Sequence, residues 1–178
     1  MARGNITVMT IKWIGAILIV ASCGGFGYMI AAAHRREEKT LRKLIYALDY
    51  MECELQYRML ALPDLCRQTS QETDGILNKV FSMLALELED QISPDVSSCM
   101  KAVTGKLKDI PTQTLESLRL LGDCLGRFDL QGQLKGLETV RQECRMKLNK
   151  LLGNSEIRIR SYQTLGICAG AALVILLM

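Results

Sequence analysis

Three sets of side chains in this chain are of types and spacings that chemistry uses. The first is acidic: Glu87, Glu89 and Asp90 stand close together, as do Asp49, Glu52 and Glu54. Neighbouring carboxylates act as general acid and base when their environments push their proton affinities apart. On solvated helix faces they instead offer an electrostatic patch to a basic partner, and Asp49, Glu52, Glu87, Glu89 and Asp90 are the candidate docking acids. The second set is the sole histidine, His34, inside a basic run that includes Arg35 and Arg36. That setting suits an interfacial residue better than a base or a metal ligand. The third is seven cysteines, Cys23, Cys53, Cys66, Cys99, Cys124, Cys144 and Cys168. They are odd in number and scattered, with no C-x-x-C pair, which is neither a disulfide framework nor a zinc site. Small buried hydrophobes on a reducing side are the expectation. The glycines of Gly122-Asp123-Cys124-Leu125-Gly126 follow a helical pattern and lack the Lys-Ser/Thr of a phosphate loop. We therefore expect no catalytic residue, no metal, no cofactor and no enzymatic activity.

The elements that carry these residues begin with two apolar ends. Residues 13–33 contain no acid or base, and neither do residues 161–178. As helices they would reach about 31 and about 27 Å, close to the hydrocarbon thickness of a bilayer. Both are expected to be transmembrane helices, after a short N-terminal segment, 1–12. Between them, residues 34–160 hold 20 Lys+Arg and 19 Asp+Glu, the composition of a soluble domain. The whole-chain excess of +3 is too small to mark a nucleic-acid surface.

Basic residues near a span stay in the cytoplasm. Arg35, Arg36, Lys39, Arg42 and Lys43 follow the first span, and Arg145, Lys147, Lys150, Arg158 and Arg160 precede the second; only Arg3 and Lys12 lie on the other side. A hairpin topology follows, with both termini outside and residues 34–160 cytoplasmic. The run Arg35, Arg36, Lys39, Arg42 and Lys43 also suits contact with anionic membrane lipids, with Arg158 and Arg160 at the second entry. An alternative stays open: Val20-Ala21-Ser22-Cys23 fits a lipoprotein cleavage box, which would place a lipid-anchored domain outside. Against it, apolar residues continue to Ala33, and the basic flanks would have to be translocated. In the spans, Ala21/Gly25 and Gly166/Gly170 are small-xxx-small steps that would let backbones pack closely.

The centre reads as helix throughout. Leu41, Leu44, Ile45, Leu48, Met51, Leu55 and Met59 form one stripe, on a helix running on from the first span. Leu62-Pro63-Asp64 ends it, a short amphipathic turn follows around Leu65 and Cys66, and residues 68–75 are the most loop-like stretch. Ile76, Leu77, Val80, Phe81, Leu84 and Leu88 make the next stripe. Ser93-Pro94 suits an N-cap and first helical position ahead of Val96, Cys99, Met100, Val103 and Leu107. Ile110-Pro111-Thr112 breaks the pattern, and Leu115, Leu118, Leu121 and Leu125 resume it. Leu130, Leu134, Leu137, Cys144, Leu148 and Leu151 then lead past Gly153-Asn154 into the second span. The fold class is all-α: a bundle of five or six helices flanked by N- and C-terminal transmembrane helices.

Leu121-Gly122-Asp123-Cys124-Leu125-Gly126-Arg127-Phe128-Asp129-Leu130-Gln131-Gly132-Gln133 is the most distinctive stretch. Gly126 suits the left-handed residue after a helix, Asp129 the cap of the next, and Gln133 a bond across the joint one turn on. Gly122 would permit a close helix crossing. Gly122, Gly126, Asp129 and Gln133 thus form a rigid corner, or a corner that binds a partner. Together with Ile14-Gly15-Ala16, Pro63-Asp64-Leu65, Leu137-Glu138 and Leu165-Gly166, this stretch resembles the stage III sporulation protein AB family of endospore-forming bacteria. The likeness covers almost the whole chain, with residues 67–112 adding little beyond length. The resemblance implies a non-enzymatic membrane component of the channel joining mother cell and forespore, required for sporulation. Its soluble domain would resemble the platform proteins of type II secretion and type IV pilus machines and would dock a cytoplasmic secretion-type ATPase alongside other stage III channel subunits. A membrane-anchored helical sensor or signalling adaptor is the alternative from another class, and a homo-oligomer stays open.

Overall fold

The structure is a computed structural model. It describes the backbone of residues 3–90, 95–126 and 129–177, and the side chains of Met29 and of residues 32–90, 95–126 and 129–153. Six helices, and no strand, occur among the described residues: α1 Arg3–Arg58, α2 Leu62–Glu72, α3 Gly75–Glu89, α4 Val96–Lys106, α5 Thr112–Cys124 and α6 Leu130–Leu177. The chain divides into two units, one of residues Arg36–Leu151, the other of the two ends, Met1–Arg35 with Leu152–Met178. Among the described residues no helix is long and apolar enough to cross a membrane. The side chains of 13–33 and 161–178, where the sequence places its spans, lie outside those described apart from Met29, Ala32 and Ala33, and so do Ala21, Gly25, Gly166, Gly170, Cys23, Arg158 and Arg160. The helices themselves run unbroken through both segments.

The unit Arg36–Leu151 is built as its periodicity dictates. Leu41, Leu44, Leu48, Met51 and Leu55 of α1 are buried, and they join Leu77, Val80, Phe81 and Leu84 of α3 and Cys99, Met100 and Val103 of α4. Leu118 and Leu121 of α5, Leu125 just beyond it, and Leu137, Val140 and Cys144 of α6 complete the core. Along the chain, α2 packs on α3, α3 on α4 and α4 on α5.

Three local expectations are corrected. The stretch 68–75 is not a loop: α2 continues to Glu72, leaving only Thr73 and Asp74 before α3. Its hydroxyls are absorbed by the helix, because Thr69 Oγ1 donates to the Leu65 carbonyl at 2.7 Å and Thr73 Oγ1 to the Thr69 carbonyl at 2.9 Å. This back-bonding stops them from competing with the helical ladder, and Leu65, Cys66, Thr69 and Ser70 are buried. Met59 does not extend the α1 stripe: the helix ends at Arg58, and Met59 takes a left-handed φ of 49° and is 72% exposed. The cap of α4 is Asp95, whose side chain accepts from the Ser98 N–H at 3.2 Å, not Ser93, which lies outside the described residues.

The start of α5 has a cap that comes from elsewhere in the chain. Pro111 occupies the N-cap position with no side-chain bond of its own. Instead the Gln113 N–H donates to Glu37 Oε1 of α1 at 2.6 Å. A carboxylate at the positive end of a helix satisfies an orphan donor and complements the macrodipole.

Candidate functional site

The corner between α5 and α6 is set by local chemistry first. The Leu125 N–H closes α5 on the Leu121 carbonyl at 3.0 Å, and Gly126 follows at φ +75°. That region costs an L-residue roughly 1–2 kcal/mol. Asp129 then starts α6: its Oδ1 accepts from the Gly132 N–H at 3.0 Å and its carbonyl from the Gln133 N–H at 2.9 Å. The glycine stop and aspartate cap are thus where the sequence put them.

Packing makes the same glycines tight. A Cβ on Gly122 would lie 2.7 Å from Met100 Cβ and 3.4 Å from Ser97 Cα, so α4 and α5 cross almost in contact there. A Cβ on Gly126 would lie 2.5 Å from Val96 Cγ2. Gly136 plays the same part on α6, with a Cβ there 2.7 Å from that of Cys124; the sequence reading missed it. Ser97 Oγ donates to Asp123 Oδ1 at 2.5 Å and pins the start of α4 to the end of α5.

These elements frame a groove of about 250 Å³ lined by Leu55, Met59, Leu60, Leu62, Gly126, Leu130 and Gln133. Two of the four corner residues, Gly126 and Gln133, therefore face an apolar recess, while Gly122 is buried in the α4–α5 crossing. The left-handed Met59 stands at its rim, two residues from Tyr57, which is 78% exposed. A bulky residue held at positive φ costs energy and persists only where its surroundings impose it.

The candidate docking acids are mostly engaged within the chain. Arg141 of α6 pairs with Asp49 at 2.7 Å, with Glu52 and with Glu138, tying α6 to α1. Glu87 pairs with Lys106, and Glu89 with Arg67. Asp90 is exposed at the end of α3. The two clusters therefore act first as ties between helices. The basic run behaves similarly in part: Arg42 pairs with Glu38 at 3.0 Å, and Lys43 with Asp74, whose carboxyl is held below its ordinary value by the Lys43 hydrogen bond and charge. Arg35, Arg36 and Lys39 are exposed.

Lys147, one of the basic residues ahead of the second apolar segment, is engaged by acids within the unit. Its ammonium meets Glu143 at 2.8 Å and Glu116 and Ser117 Oγ each at 3.2 Å. Burial works to lower its pKa, but Glu143 and Glu116 prevail and hold it above 10.5. A lysine so held is a stable cation and cannot serve Ser117 as a base. Beside it the Cys144 thiol is pushed up by burial, and Cys66, wholly enclosed, is pushed up to about 12. Cys66, Cys99 and Cys144 are buried and Cys53 is exposed, all as free thiols. Among the described residues no group of three His, Cys, Asp or Glu side chains is placed to hold a metal ion, and His34 is exposed.

The family model for stage III sporulation protein AB matches residues 12–178. The chain belongs to that family. It is similar to the stage III sporulation protein AB of Bacillus subtilis (strain 168), at 26% identity over 177 residues, covering 94% of this chain and 99% of the relative. A solved structure titled stage III sporulation protein AB (SpoIIIAB) shares the fold, with a TM-score of 0.61 at 18% identity, covering 68% of this chain and 98% of that one. A role in sporulation follows from the family. The corner Gly122, Gly126, Asp129 and Gln133 falls inside the matched region.

Proposed function

We propose that the protein is a non-enzymatic scaffold of the channel that joins mother cell and forespore. Residues 13–33 and 161–178 anchor it in the cell membrane, and the helical unit faces the mother-cell cytoplasm, where it docks a secretion-type ATPase and other stage III subunits. Two uncharged membrane-length segments flanked by basic residues support the anchoring. The observation that carries the docking reading is the apolar groove at the α5–α6 corner, lined by Gly126 and Gln133 and rimmed by Met59. Its volume of about 250 Å³ falls below the roughly 300–1,000 Å³ of small-molecule sites. It suits the anchoring side chain of a protein partner, the kind of contact that dominates interface energies.

Copurification of the detergent-extracted full chain with the ATPase tests this. Met59→Asp and Leu130→Glu, which put charge into the groove, should weaken capture at least tenfold, about 1.4 kcal/mol, more than most interface positions cost when altered. The exposed Asp90→Arg checks the acidic patch separately, because Asp90 makes no ion pair among the described residues. Undiminished capture by both groove variants would overturn the assignment of the corner.

A further inference from the structure

The α4–α5 connection, residues 107–111, lies at the end of the unit where α1 enters it. Arg36 Nη2 donates to the Asp109 carbonyl at 3.3 Å, and Glu37 caps α5 at Gln113. Lys147 of α6 reaches the Gln113 carbonyl at 3.4 Å, so the outgoing helix passes the same level one turn before the exposed Lys150. A loop some seventy residues from α1's basic run in sequence is thereby set beside it.

The charges at this end do not cancel. Glu37 is engaged by the α5 N-terminus, Glu38 by Arg42, Asp74 by Lys43, and Glu116 and Glu143 by Lys147. Among the described residues Arg36, Lys39, Lys108 and Lys150 have no acidic partner, and all four are exposed. Beside them Glu37 is taken up by the α5 N-terminus, and Asp109 has no ion pair among the described residues. Lys108 projects from a turn flanked by the half-buried Leu107 and Ile110, so it is presented outward by a fixed base. Lys106, by contrast, is turned onto Glu87.

We propose that the α4–α5 connection, through Lys108, seats on an anionic lipid surface together with Arg36, Lys39 and Lys150, so that the unit Arg36–Leu151 has a lipid contact of its own. This rests on the membrane anchoring proposed above. Basic groups near an anionic leaflet each add roughly five-fold to its attraction, and the effect fades within a Debye length of about 10 Å.

The test is amide hydrogen exchange of the full chain in nanodiscs of phosphatidylcholine alone or with about a third phosphatidylglycerol. In the anionic discs, amides of residues 107–110 should exchange about five-fold more slowly. Lys108→Glu and Lys108→Ala should both abolish that difference, while Lys101→Glu, exposed further along α4, should preserve it. Equal exchange in the two discs overturns the proposal, as does survival of the protection in both Lys108 variants. Protection in phosphatidylcholine discs on adding inorganic phosphate would assign the charge to a phosphate site and also overturn it. Failure of the chain to enter nanodiscs at all is a separate result, which sinks the anchoring instead.

Discussion

Two glycines in neighbouring helices should respond to the same substitution with opposite signs. Gly105 of α4 has nothing within 4 Å of where a Cβ would stand. Gly105→Ala should therefore only remove glycine's entropic handicap, stabilising by about 0.5–1 kcal/mol. Gly122 of α5 gains the same term but meets Met100 Cβ at 2.7 Å, Met100 Cγ at 3.1 Å and Ser97 Cα at 3.4 Å. The closest of these is the root of the neighbour's side chain, which no rotamer change can move. Separating α4 and α5 would pull on the Ser97–Asp123 bond and on the buried Met100 and Leu121. Overpacking of this kind costs about 1–3 kcal/mol, so Gly122→Ala should be net destabilised by about 1–2 kcal/mol. At roughly 4 °C per kcal/mol for a unit of this size, the two variants should melt about 6–12 °C apart, on either side of the parent. Thermal unfolding of the full chain in detergent, followed by circular dichroism at 222 nm, reads this directly. A Gly122→Ala chain as stable as Gly105→Ala would refute the close crossing and, with it, the rigid corner.

Arg141→Met should leave Asp49, Glu52 and Glu138 facing one another without their cation. Its side chain is 19% exposed and its partners 30–45%, so the loss is well below that of a fully buried pair, about 1–2 kcal/mol. Urea unfolding should show that deficit shrinking in 1 M salt, where the Debye length falls to about 3 Å; a salt-independent deficit would assign it to packing. Lys147 is held above its ordinary 10.5 by Glu143 and Glu116. A group whose folded pKa is raised stabilises fully below the unfolded value and loses that stabilisation as pH rises through the folded one. The stability difference between the parent and Lys147→Met should thus be flat up to about pH 9.5 and narrow above pH 10.5, as measured by urea midpoints at pH 9 and 11.

What could be read from the sequence is what local rules decide. Gly126 and Asp129 were legible because a left-handed stop and an aspartate cap act within four residues, and both are found. The apolar stripes were legible because α1, α3, α4 and α5 bury one face each. Polar composition misled at 68–72, where Thr69 and Ser70 turn their hydroxyls back onto helix carbonyls and are buried. Partners far apart in sequence were invisible. Arg141 and Asp49 are 92 residues apart, and Glu37 caps a helix 76 residues away. The acids Asp49 and Glu52 therefore looked free for a partner, and the carboxylates that engage Lys147 could not be named, until the fold supplied the counter-ions.

Those counter-ions bear on how the unit could act as a scaffold. α4 begins with Val96 packed on Gly126 at the corner and ends at Lys106, one residue before the connection that carries Lys108. Its 11 residues extend about 16 Å as helix, so the proposed partner groove and the proposed lipid seat lie at opposite ends of one short rod. The rod is fixed at both ends by bonds that are not its own, Ser97 to Asp123 at the start and Lys106 to Glu87 at the finish. Load applied at the groove would pass through α4 and α5, whose close crossing at Gly122 leaves little slack. The far end of α5 is in turn capped by Glu37 of α1, the helix that continues toward the proposed first span. A chain of short, well-packed links from corner to α1 is what a static platform requires. A relay would instead need an element with two arrangements of similar energy.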